Sequence, residues 1–371
     1  MSRKRLGFGA MRLPLKNILG KVDIKTFKQM VDAYLERGYS HFDTSFVYHR
    51  GKSENAIREA LVKRYPRSAY TVTDKMPVFM IKKQEDYQKH FDIQLGRCGL
   101  DYFDYYWLHA LNSPSVEACE KLGGFDFLKK MKEEGKARHI GFSFHDTAET
   151  LNSILSHHPE MEYVQIIVNY IDWLNDGIEI RKCYETALEH DKQVMVMEPL
   201  KGGILADVPP EIEALFKEYN PEISAAAWAF RWVASLENVS MVLSGMSTME
   251  QLMDNMDTFD QLTPLNDEER KIIEKAQDIL NKKAPNSCTY CGECQKVCPE
   301  NLAIPTYIGI YNNRKMFPPD GWQRILYNAV SDRYGIVDDC NGCKECEAAC
   351  PQGINISELL EDAKPVLERF R

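Results

Sequence analysis

Two cysteine runs near the C-terminus constrain this chain more than any other feature. Eight of the eleven cysteines fall into these runs, and each run ends in Cys-Pro: Cys288, Cys291, Cys294 and Cys298 in the first, Cys340, Cys343, Cys346 and Cys350 in the second. Both have the spacing C-x2-C-x2-C-x3-C-P, which is typical of the ligands of [4Fe–4S] clusters. The duplicated pattern predicts two such clusters.

The spacing also predicts which cysteines share a cluster. Three closely spaced thiolates can take three corners of one cubane, while the fourth points away and serves a second cluster. The expected sets are therefore crossed: Cys288, Cys291, Cys294 and Cys350 in one, Cys340, Cys343, Cys346 and Cys298 in the other. The alternative is a pair of zinc sites, since C-x2-C pairs are also zinc signatures. Zinc has no need of a third cysteine and a terminal Cys-Pro in each run, so the pattern favours iron and sulfur.

The segment between the runs is too long for the hairpins of a minimal bacterial ferredoxin. Its apolar residues recur at the helical spacings of three and four: Trp322, Ile325, Leu326 and Ala329. A last helix is predicted from Ser357 to Phe370, with these residues packed inward: Leu359, Leu360, Val366 and Leu367. Residues 284–371 are thus expected to form a small, mainly α-helical dicluster domain, which resembles the helical dicluster ferredoxins of respiratory iron–sulfur subunits.

The charge and the hydropathy of the chain argue against nucleic acid and membranes as binding partners. The net charge is −9 and the pI is near 5.6, and basic residues are mixed with acidic ones, which argues against nucleic acid. No apolar run approaches the roughly 20 residues that a membrane helix needs. Arg12, Pro14 and Lys16 interrupt the N-terminal segment before it resembles a signal peptide. We therefore expect a cytoplasmic protein, in which the single cysteines Cys98, Cys119 and Cys183 have no assigned role.

Residues 1–283 alternate strand-like and helix-like segments. Asp23 is a plausible N-cap of a first helix that Gly38 closes, and Ser53 is expected to cap a second. The strand-like segments are RLGFGAM at the start, YSHF, AYTVT, DYYWL near 104–108, ARHIGF near 137–142, YVQIIV near 163–168, QVMVM near 193–197 and VSMVL near 239–243. Eight strand–helix units of this size predict an α/β fold, a (β/α)8 TIM barrel, followed by the dicluster domain.

Polar residues stand where three consecutive strands of this barrel end. Asp43 and Tyr48 follow the second strand, Lys75 closes the third, and His109 closes the fourth. Singly, such residues are more often structural or solvated, but together they match acid catalysis of carbonyl reduction. A tyrosine with a reference pKa of about 10 is a poor acid near neutrality. A neighbouring ammonium lowers that pKa, a carboxylate keeps the ammonium charged, and a histidine aims the substrate carbonyl.

The segments GYSHFDTSFVY, TVTDKMP and YYWLHA are similar to the signature of the aldo-keto reductase family, and the resemblance extends over residues 5–262. It implies that Tyr48 is the proton donor, Lys75 and Asp43 its tuning pair, and His109 the substrate-orienting group. It also implies cofactor contacts to the nicotinamide amide (Ser143 and Gln165), to the pyrophosphate (Pro199, Leu200 and Gly202) and to the adenosine (Gly245, Ser247, Gln251 and Asn255).

The chain departs from the family pattern at several cofactor positions. Phe144 replaces an asparagine that is common after the serine, and Met197 replaces a tyrosine that commonly stacks on the nicotinamide. Gly245 and Gln251 stand where a lysine and an arginine usually grip the 2′-phosphate of NADP. The choice between NAD and NADP therefore stays open.

The leading hypothesis is an NAD(P)-linked oxidoreductase that interconverts a small-molecule carbonyl and an alcohol. Two [4Fe–4S] clusters would exchange electrons with a partner such as ferredoxin or with a bound flavin, although the sequence carries no flavin fingerprint. One alternative is a non-catalytic, nicotinamide-binding or redox-sensing subunit of a larger assembly. The other is a ferredoxin-driven reductase that uses no nicotinamide.

Overall fold

A computed structural model describes residues 4–16, 20–146, 148–173, 179–283, 286, 288, 290–316, 327, 331 and 334–367. Eight parallel strands close into a barrel in chain order, with β8 paired to β1. Their bounds are β1 Leu6–Gly9, β2 His41–Asp43, β3 Thr71–Met76, β4 Phe103–Leu111, β5 Ala137–Phe144, β6 Tyr163–Ile167, β7 Gln193–Met197 and β8 Val239–Ser244. The predicted (β/α)8 barrel is confirmed, with strand ends displaced by a few residues.

Helices connect the strands along the chain. They are α1 Ile24–Glu36, α2 Ser53–Ile57, α3 Glu85–Cys98, α4 Ser113–Leu122, α5 Gly124–Glu133, α6 Ala148–His157, α7 Ile180–Glu189, α8 Pro210–Tyr219, α9 Ala225–Ala234, α10 Met249–Asp260 and α11 Asp267–Lys283. The predicted cap of α1 is confirmed, because Asp23 accepts hydrogen bonds from the backbone N–H groups of Lys25 and Thr26. Gly38 follows α1 with φ of 80°, a left-handed conformation that glycine adopts without strain.

The expectation that Ser53 caps the second helix is wrong. Lys52 is the residue before α2, and Ser53 lies within the helix. The buried Ser53 hydroxyl instead donates to the carbonyl oxygen of Ala10, at 3.0 Å, and lies 2.8 Å from the hydroxyl of Thr44. Serine thus joins the segments after β1 and β2, a long-range role that the local pattern does not reveal.

The interior of the barrel is filled by large side chains from several strands, among them Tyr105 and Trp107 of β4 and Tyr163 of β6. Gly141 of β5 lies where no side chain fits, because a Cβ there would be 2.2 Å from the carbonyl oxygen of Tyr163 and 2.9 Å from the Trp107 ring. The glycine therefore lets β5 approach β4 and β6 closely. This packing sets the positions of residues further along the same strands.

The chain divides into two compact units. The first comprises Met1–Asn169, Ile180–Pro199 and Ala229–Pro264 and contains all eight strands, and the second comprises Tyr170–Glu179, Leu200–Trp228 and Leu265–Arg371. The domain boundary between residues 283 and 284 stays a prediction. Within the described residues, no helix combines the length and the apolarity that a bilayer crossing requires.

The cysteine-rich part of the second unit is helical in the residues described. Its helices are α12 Glu293–Lys296, α13 Ile304–Met316, α14 Glu345–Ala348 and α15 Ile356–Leu367. Leu360 and Leu367 are buried in a core with Tyr307 and Val337, and Leu359 and Val366 pack against it. The predicted last helix is present as α15, and residues 368–371 lie outside the described residues. The helical pattern at Trp322, Ile325, Leu326 and Ala329 lies outside them too.

Candidate active site and cysteine cavities

Strands β2 and β3 bring a buried lysine against a buried aspartate. Lys75 donates to Oδ1 of Asp43 at 2.6 Å, to the carbonyl oxygen of Thr44 at 2.9 Å and to the hydroxyl of Tyr48 at 3.4 Å. An ammonium has three protons and accepts none, so these three acceptors engage every donor of Lys75. Asp43, Tyr48 and Lys75 are thus brought together as the sequence predicts.

The charges of this group set its titration. Burial acts to lower the pKa of Lys75, but the charge of Asp43 and the interaction with the hydroxyl of Tyr48 outweigh burial and raise it. Burial raises the pKa of Asp43, although Lys75 opposes that effect. For Tyr48, burial likewise outweighs the nearby ammonium, and the pKa is raised. The expectation that Lys75 brings the pKa of Tyr48 below its ordinary value is not met, because burial of the phenol outweighs the ammonium, and the phenol is protonated at neutral pH.

His109, in the outer part of β4, completes the group. Its ring stands edge-on to that of Tyr48, with centroids 5.9 Å apart. Burial lowers the pKa of His109 well below its ordinary value, and Lys75 adds to the effect, so the imidazole is neutral. Its Nδ1 lies 3.0 Å from the hydroxyl of Ser45. With that hydroxyl as donor, the ring proton resides on Nε2, which suits a group that donates to a substrate.

Ser45 was not singled out from the sequence. Its only signal in the sequence is its position two residues after Asp43, just beyond the end of β2. The backbone at Tyr48 also has a feature that periodicity does not predict. His49 and Arg50 both adopt left-handed conformations, with φ of 50° and 56°, and Nε2 of His49 accepts from the backbone N–H of Leu13 at 3.1 Å. This contact ties the turn that carries Tyr48 to the segment after β1.

The two residues predicted to contact the nicotinamide amide are buried near the ends of β5 and β6. Gln165 approaches Asp43, with Nε2 3.5 Å from Oδ2, whereas Oε1 of Gln165 has no hydrogen-bond donor among the described residues. The hydroxyl of Ser143 accepts from the backbone N–H of Ala110 at 2.7 Å, so its own proton is available to a ligand. An orphaned buried acceptor beside an available hydroxyl donor fits a carboxamide, which carries both functions.

The other predicted cofactor residues are divided between the two units. Pro199 lies two residues after β7 in the first unit, and Leu200 and Gly202 belong to the second, where Gly202 has φ of 72°. Phe144 is buried at the end of β5, and Met197 is half-buried at the end of β7.

The predicted adenosine residues form a turn after β8 in the first unit. The backbone N–H of Ser247 donates to Oε1 of Gln251 at 2.8 Å, and Nδ2 of Asn255 donates to the hydroxyl of Ser244 at 3.0 Å. Gly245 begins the turn. Gln251, Asn255 and Ser247 therefore all have partners within the turn or in the segment after β1, since the hydroxyl of Ser247 donates to the carbonyl oxygen of Arg12 at 2.9 Å.

A buried carboxyl pair behind Lys75 was also not foreseen. Asp74 accepts from the backbone N–H of Lys75 at 2.8 Å, and Glu54 accepts from Arg97 at 2.9 Å. Burial, and then each other's proximity, raise the pKa of Asp74 well above its ordinary range, and burial also raises that of Glu54. Oε1 of Glu54 has no donor among the described residues unless a proton lies between the two carboxyls. We read them as a pair that holds one proton.

Two cavities in the second unit are lined by crossed sets of cysteines. One is lined by Cys288, Cys291, Cys294 and Cys350. The other is lined by Cys298, Cys340, Cys343 and Cys346. No group of three or more His, Cys, Asp or Glu side chains in the described part of the chain is arranged around a single ion. Four thiols around a cavity fit a cubane cluster, which is held by four thiolates.

Comparisons with known proteins identify a match for the barrel segment and another for the cysteine-rich segment. Residues 5–278 match the model of the aldo/keto reductase family, and residues 287–356 match a 4Fe-4S dicluster domain. An aldo-keto reductase of Mycolicibacterium vanbaalenii is 30% identical over 253 residues, which cover 65% of this chain and 81% of the relative. L-galactose dehydrogenase of Arabidopsis thaliana is 25% identical over 288 residues, 72% of this chain and 88% of the relative.

Solved structures share the fold of the barrel. An aldo-keto reductase from Bacillus halodurans in its holo form superposes with a TM-score of 0.60 at 22% identity, covering 73% of this chain and 91% of that one. An aldo-keto reductase from Klebsiella pneumoniae, solved in complex with NADPH, gives a TM-score of 0.58 at 19% identity over 73% and 90% of the two chains.

Proposed function

We propose, from the fact that this chain belongs to the aldo/keto reductase family, that this oxidoreductase interconverts a small-molecule carbonyl compound and its alcohol with NAD(P)H. One observation carries the proposal. Lys75 donates to Asp43, to the carbonyl oxygen of Thr44 and to the hydroxyl of Tyr48. Because the Tyr48 oxygen is an acceptor toward Lys75, its own proton is left for another acceptor. A substrate carbonyl oxygen is the acceptor that this arrangement suits.

Each residue of the group has a distinct task in the reduction. When bound, the reduced nicotinamide supplies a hydride to the carbonyl carbon. Tyr48 gives its proton to the carbonyl oxygen, and Lys75 stabilises the phenolate that remains. Asp43 holds Lys75 in place and charged. His109, neutral and oriented by Ser45, donates a hydrogen bond that aims the carbonyl. In the reverse direction the phenolate takes the proton of the alcohol.

The cofactor is proposed to lie across the ends of the later strands. Ser143 and Gln165 contact the carboxamide, a role supported by the orphaned acceptor of Gln165. The pyrophosphate is assigned to Pro199, Leu200 and Gly202, and the adenosine end to Gly245, Ser247, Gln251 and Asn255. These roles follow from the family pattern and from positions after β7 and β8.

The eight cysteines are proposed to hold two [4Fe–4S] clusters in crossed sets. The support is the pair of cavities, each lined by three cysteines of one run and the last cysteine of the other. When bound, such clusters pass single electrons. We propose that the domain exchanges these electrons with a redox partner protein such as ferredoxin.

The test compares wild type with Tyr48→Phe in anaerobically purified holoprotein. Oxidation of NADH and NADPH is followed with a panel of aldehydes and ketones, and nicotinamide binding is titrated separately. Removal of a general acid lowers the rate by about 10² to 10⁴, while nicotinamide binding is retained. Equal activity of the two proteins would support a non-catalytic role of the barrel instead.

The dicluster domain also favours a second candidate, a reductase driven by ferredoxin without nicotinamide. Turnover with reduced ferredoxin alone, lost in Tyr48→Phe, would establish it. Bleaching of the cluster absorbance by NADPH or NADH in the same preparation would show that the two chemistries communicate. Carbonyl reduction without bleaching would indicate that the clusters exchange electrons with the partner protein and not with the nicotinamide.

A further inference from the structure

Arg12 lies against the turn that follows β8, although it comes from the other end of the barrel sequence. It is the last residue of a short 3-10 turn, Ala10–Arg12, directly after β1. A Cβ at Gly245 would lie 3.0 Å from Cβ of Arg12 and 3.1 Å from its Cγ and Cδ. The stem of the arginine therefore packs on the bare backbone of Gly245. Any larger residue at position 245 would push the arginine away.

The backbone of Arg12 is held on both sides. The hydroxyl of Ser247 donates to the carbonyl oxygen of Arg12 at 2.9 Å, and the next backbone N–H, of Leu13, donates to His49 at 3.1 Å. Ser247 is itself held by Gln251, which accepts from its backbone N–H at 2.8 Å. The starting point of the arginine side chain is thus set by three segments of the barrel unit.

The guanidinium of Arg12 is not used within the described part of the chain. Several other arginines of the barrel unit, although not all of them, are paired with carboxylates: Arg37 with Asp257 and Asp260, Arg64 with Asp32, Arg67 with Asp104, and Arg97 with Glu54. The guanidinium of Arg12 has no ion pair, hydrogen bond or ring contact with any described residue, and the residue is only half-buried. A positioned but unpaired guanidinium is suited to an anionic ligand, since its planar fork matches phosphate oxygens.

The surroundings fit a phosphate. Arg12 meets the turn at the start of α10, a helix of 12 residues whose N-cap Thr248 accepts from the backbone N–H of Gln251. Loops after strands seven and eight, with a helix N-terminus, are a frequent phosphate site in (β/α)8 barrels. Glu250, in the first turn of α10, is exposed to solvent, where its charge is screened.

We infer that Arg12 binds the 2′-phosphate of the adenosine ribose and thereby selects NADPH over NADH. The inference rests on the proposed function, because it places the cofactor's adenosine at the turn after β8. It supplies a charge that Gly245 and Gln251 lack. A phosphate monoester carries nearly two negative charges at pH 7, so one arginine at the rim is a strong discriminator. Gly245 is small because the arginine lies on it.

The test measures binding rather than turnover. The anaerobically purified holoprotein is titrated with NADPH, NADH, 2′,5′-ADP and 5′-ADP, for wild type, Arg12→Gln and Gly245→Ala. Gly245 is not among the residues with positive φ, so alanine there fills the space beneath the arginine without straining the backbone. Arg181→Gln is the control, since the one ion pair of Arg181 on α7 to a described residue is with Glu185, at 4.0 Å.

Wild type should bind NADPH more tightly than NADH, and 2′,5′-ADP more tightly than 5′-ADP. Arg12→Gln should weaken the binding of NADPH and of 2′,5′-ADP by about 10- to 100-fold, which is the contribution expected of hydrogen bonds to a charged group. Its affinity for NADH should stay within about twofold of the wild-type affinity. Gly245→Ala should change affinities in the same direction, and Arg181→Gln should change none.

Equal weakening of NADH and NADPH in Arg12→Gln would overturn the inference and assign the arginine to the pyrophosphate. Equal affinity of wild type for the two cofactors, with carbonyl reduction intact, would overturn the inference and leave the proposed function standing. Failure of wild type to bind either nicotinamide would overturn both.

Discussion

The ammonium of Lys75 and the carboxylate of Asp43 form a buried ion pair, with Nζ 2.6 Å from Oδ1 and both side chains nearly inaccessible to solvent. Breaking such a pair is costly, because the partner that remains is a buried charge without compensation. Lys75 and Asp43 therefore contribute both to the stability of the barrel and to the proposed carbonyl reduction.

Lys75→Met should destabilise the protein by about 3–5 kcal/mol and also abolish most of the carbonyl reduction. The double variant Asp43→Asn/Lys75→Met removes both charges and should regain much of the lost stability, but none of the activity. Urea unfolding of the anaerobic holoprotein, followed by far-UV circular dichroism, measures the first effect. A double variant that is no more stable than Lys75→Met would show that the ion pair is not the cause.

The pH profile of carbonyl reduction should be flat from about pH 6 to pH 9. Tyr48 must be protonated to act as the acid, and burial raises its pKa above the ordinary value of 10.0, so activity should fall only at more alkaline pH. His109 is neutral throughout, because its pKa is lowered well below 6.5. Rate constants at saturating cofactor test this. A limb near pH 6.5 that disappears in His109→Asn would contradict the neutral imidazole.

Asp74→Asn should make the protein more stable at alkaline pH. The folded state raises the pKa of Asp74 and of Glu54, so it binds more protons than the unfolded chain. In the unfolded chain the two carboxyl groups have pKa values of about 4, and below that pH the pair contributes its full stabilisation. This contribution is lost as the pH rises through the higher pKa values that the two groups have in the folded state. Asparagine still offers a donor to Glu54 and carries no charge.

The free energy of unfolding of Asp74→Asn should equal that of wild type at pH 5 and exceed it by about 1–3 kcal/mol at pH 9. Urea unfolding at both pH values measures this difference. Glu59→Gln is the control, because Glu59 forms an exposed ion pair with Lys63 and its replacement should change the stability little. A gain of the same size at pH 5 would argue against a titrating pair.

Iron analysis of double cysteine variants should reveal the crossing of the ligand sets. Cys288→Ala/Cys350→Ala removes two residues of one cavity and should retain about half of the wild-type iron and sulfide. Cys288→Ala/Cys298→Ala damages both cavities and should lose most of the iron. Cys183→Ala, in the barrel helix α7, should lose none. Half retention in the second variant and near-complete loss in the first would show that each run binds its own cluster.

Local patterns predicted the elements of this fold because strand and helix periodicity, caps and ligand spacing are short-range signals. The cap at Asp23 follows from the chemistry of one side chain and the two N–H groups after it. The group formed by Asp43, Tyr48, Lys75 and His109 could be anticipated because parallel strands of a barrel end at the same face.

Properties that depend on distant neighbours could not be predicted in this way. Ser53 has the residue type of a cap, but its hydroxyl serves Ala10 and Thr44. The raised pKa of Tyr48 comes from the amount of protein packed around it, which no local pattern encodes. The carboxyl pair joins Glu54 of α2 to Asp74 of β3, two elements that both contact α3. Arg12 and Gly245 meet only because β1 and β8 are adjacent in the closed barrel.

The exchange of Cys298 and Cys350 between the two cavities has an evolutionary consequence. The fourth cysteine of each cavity comes from the other run. Neither run therefore surrounds a cavity by itself, and loss of one run in evolution would also affect the cavity of the other. Deleting one run would leave the other with three cysteines around its cavity. Descent to a single-cluster domain would need a replacement thiol to arise in the same step. Such interdependence preserves both runs together or removes them together.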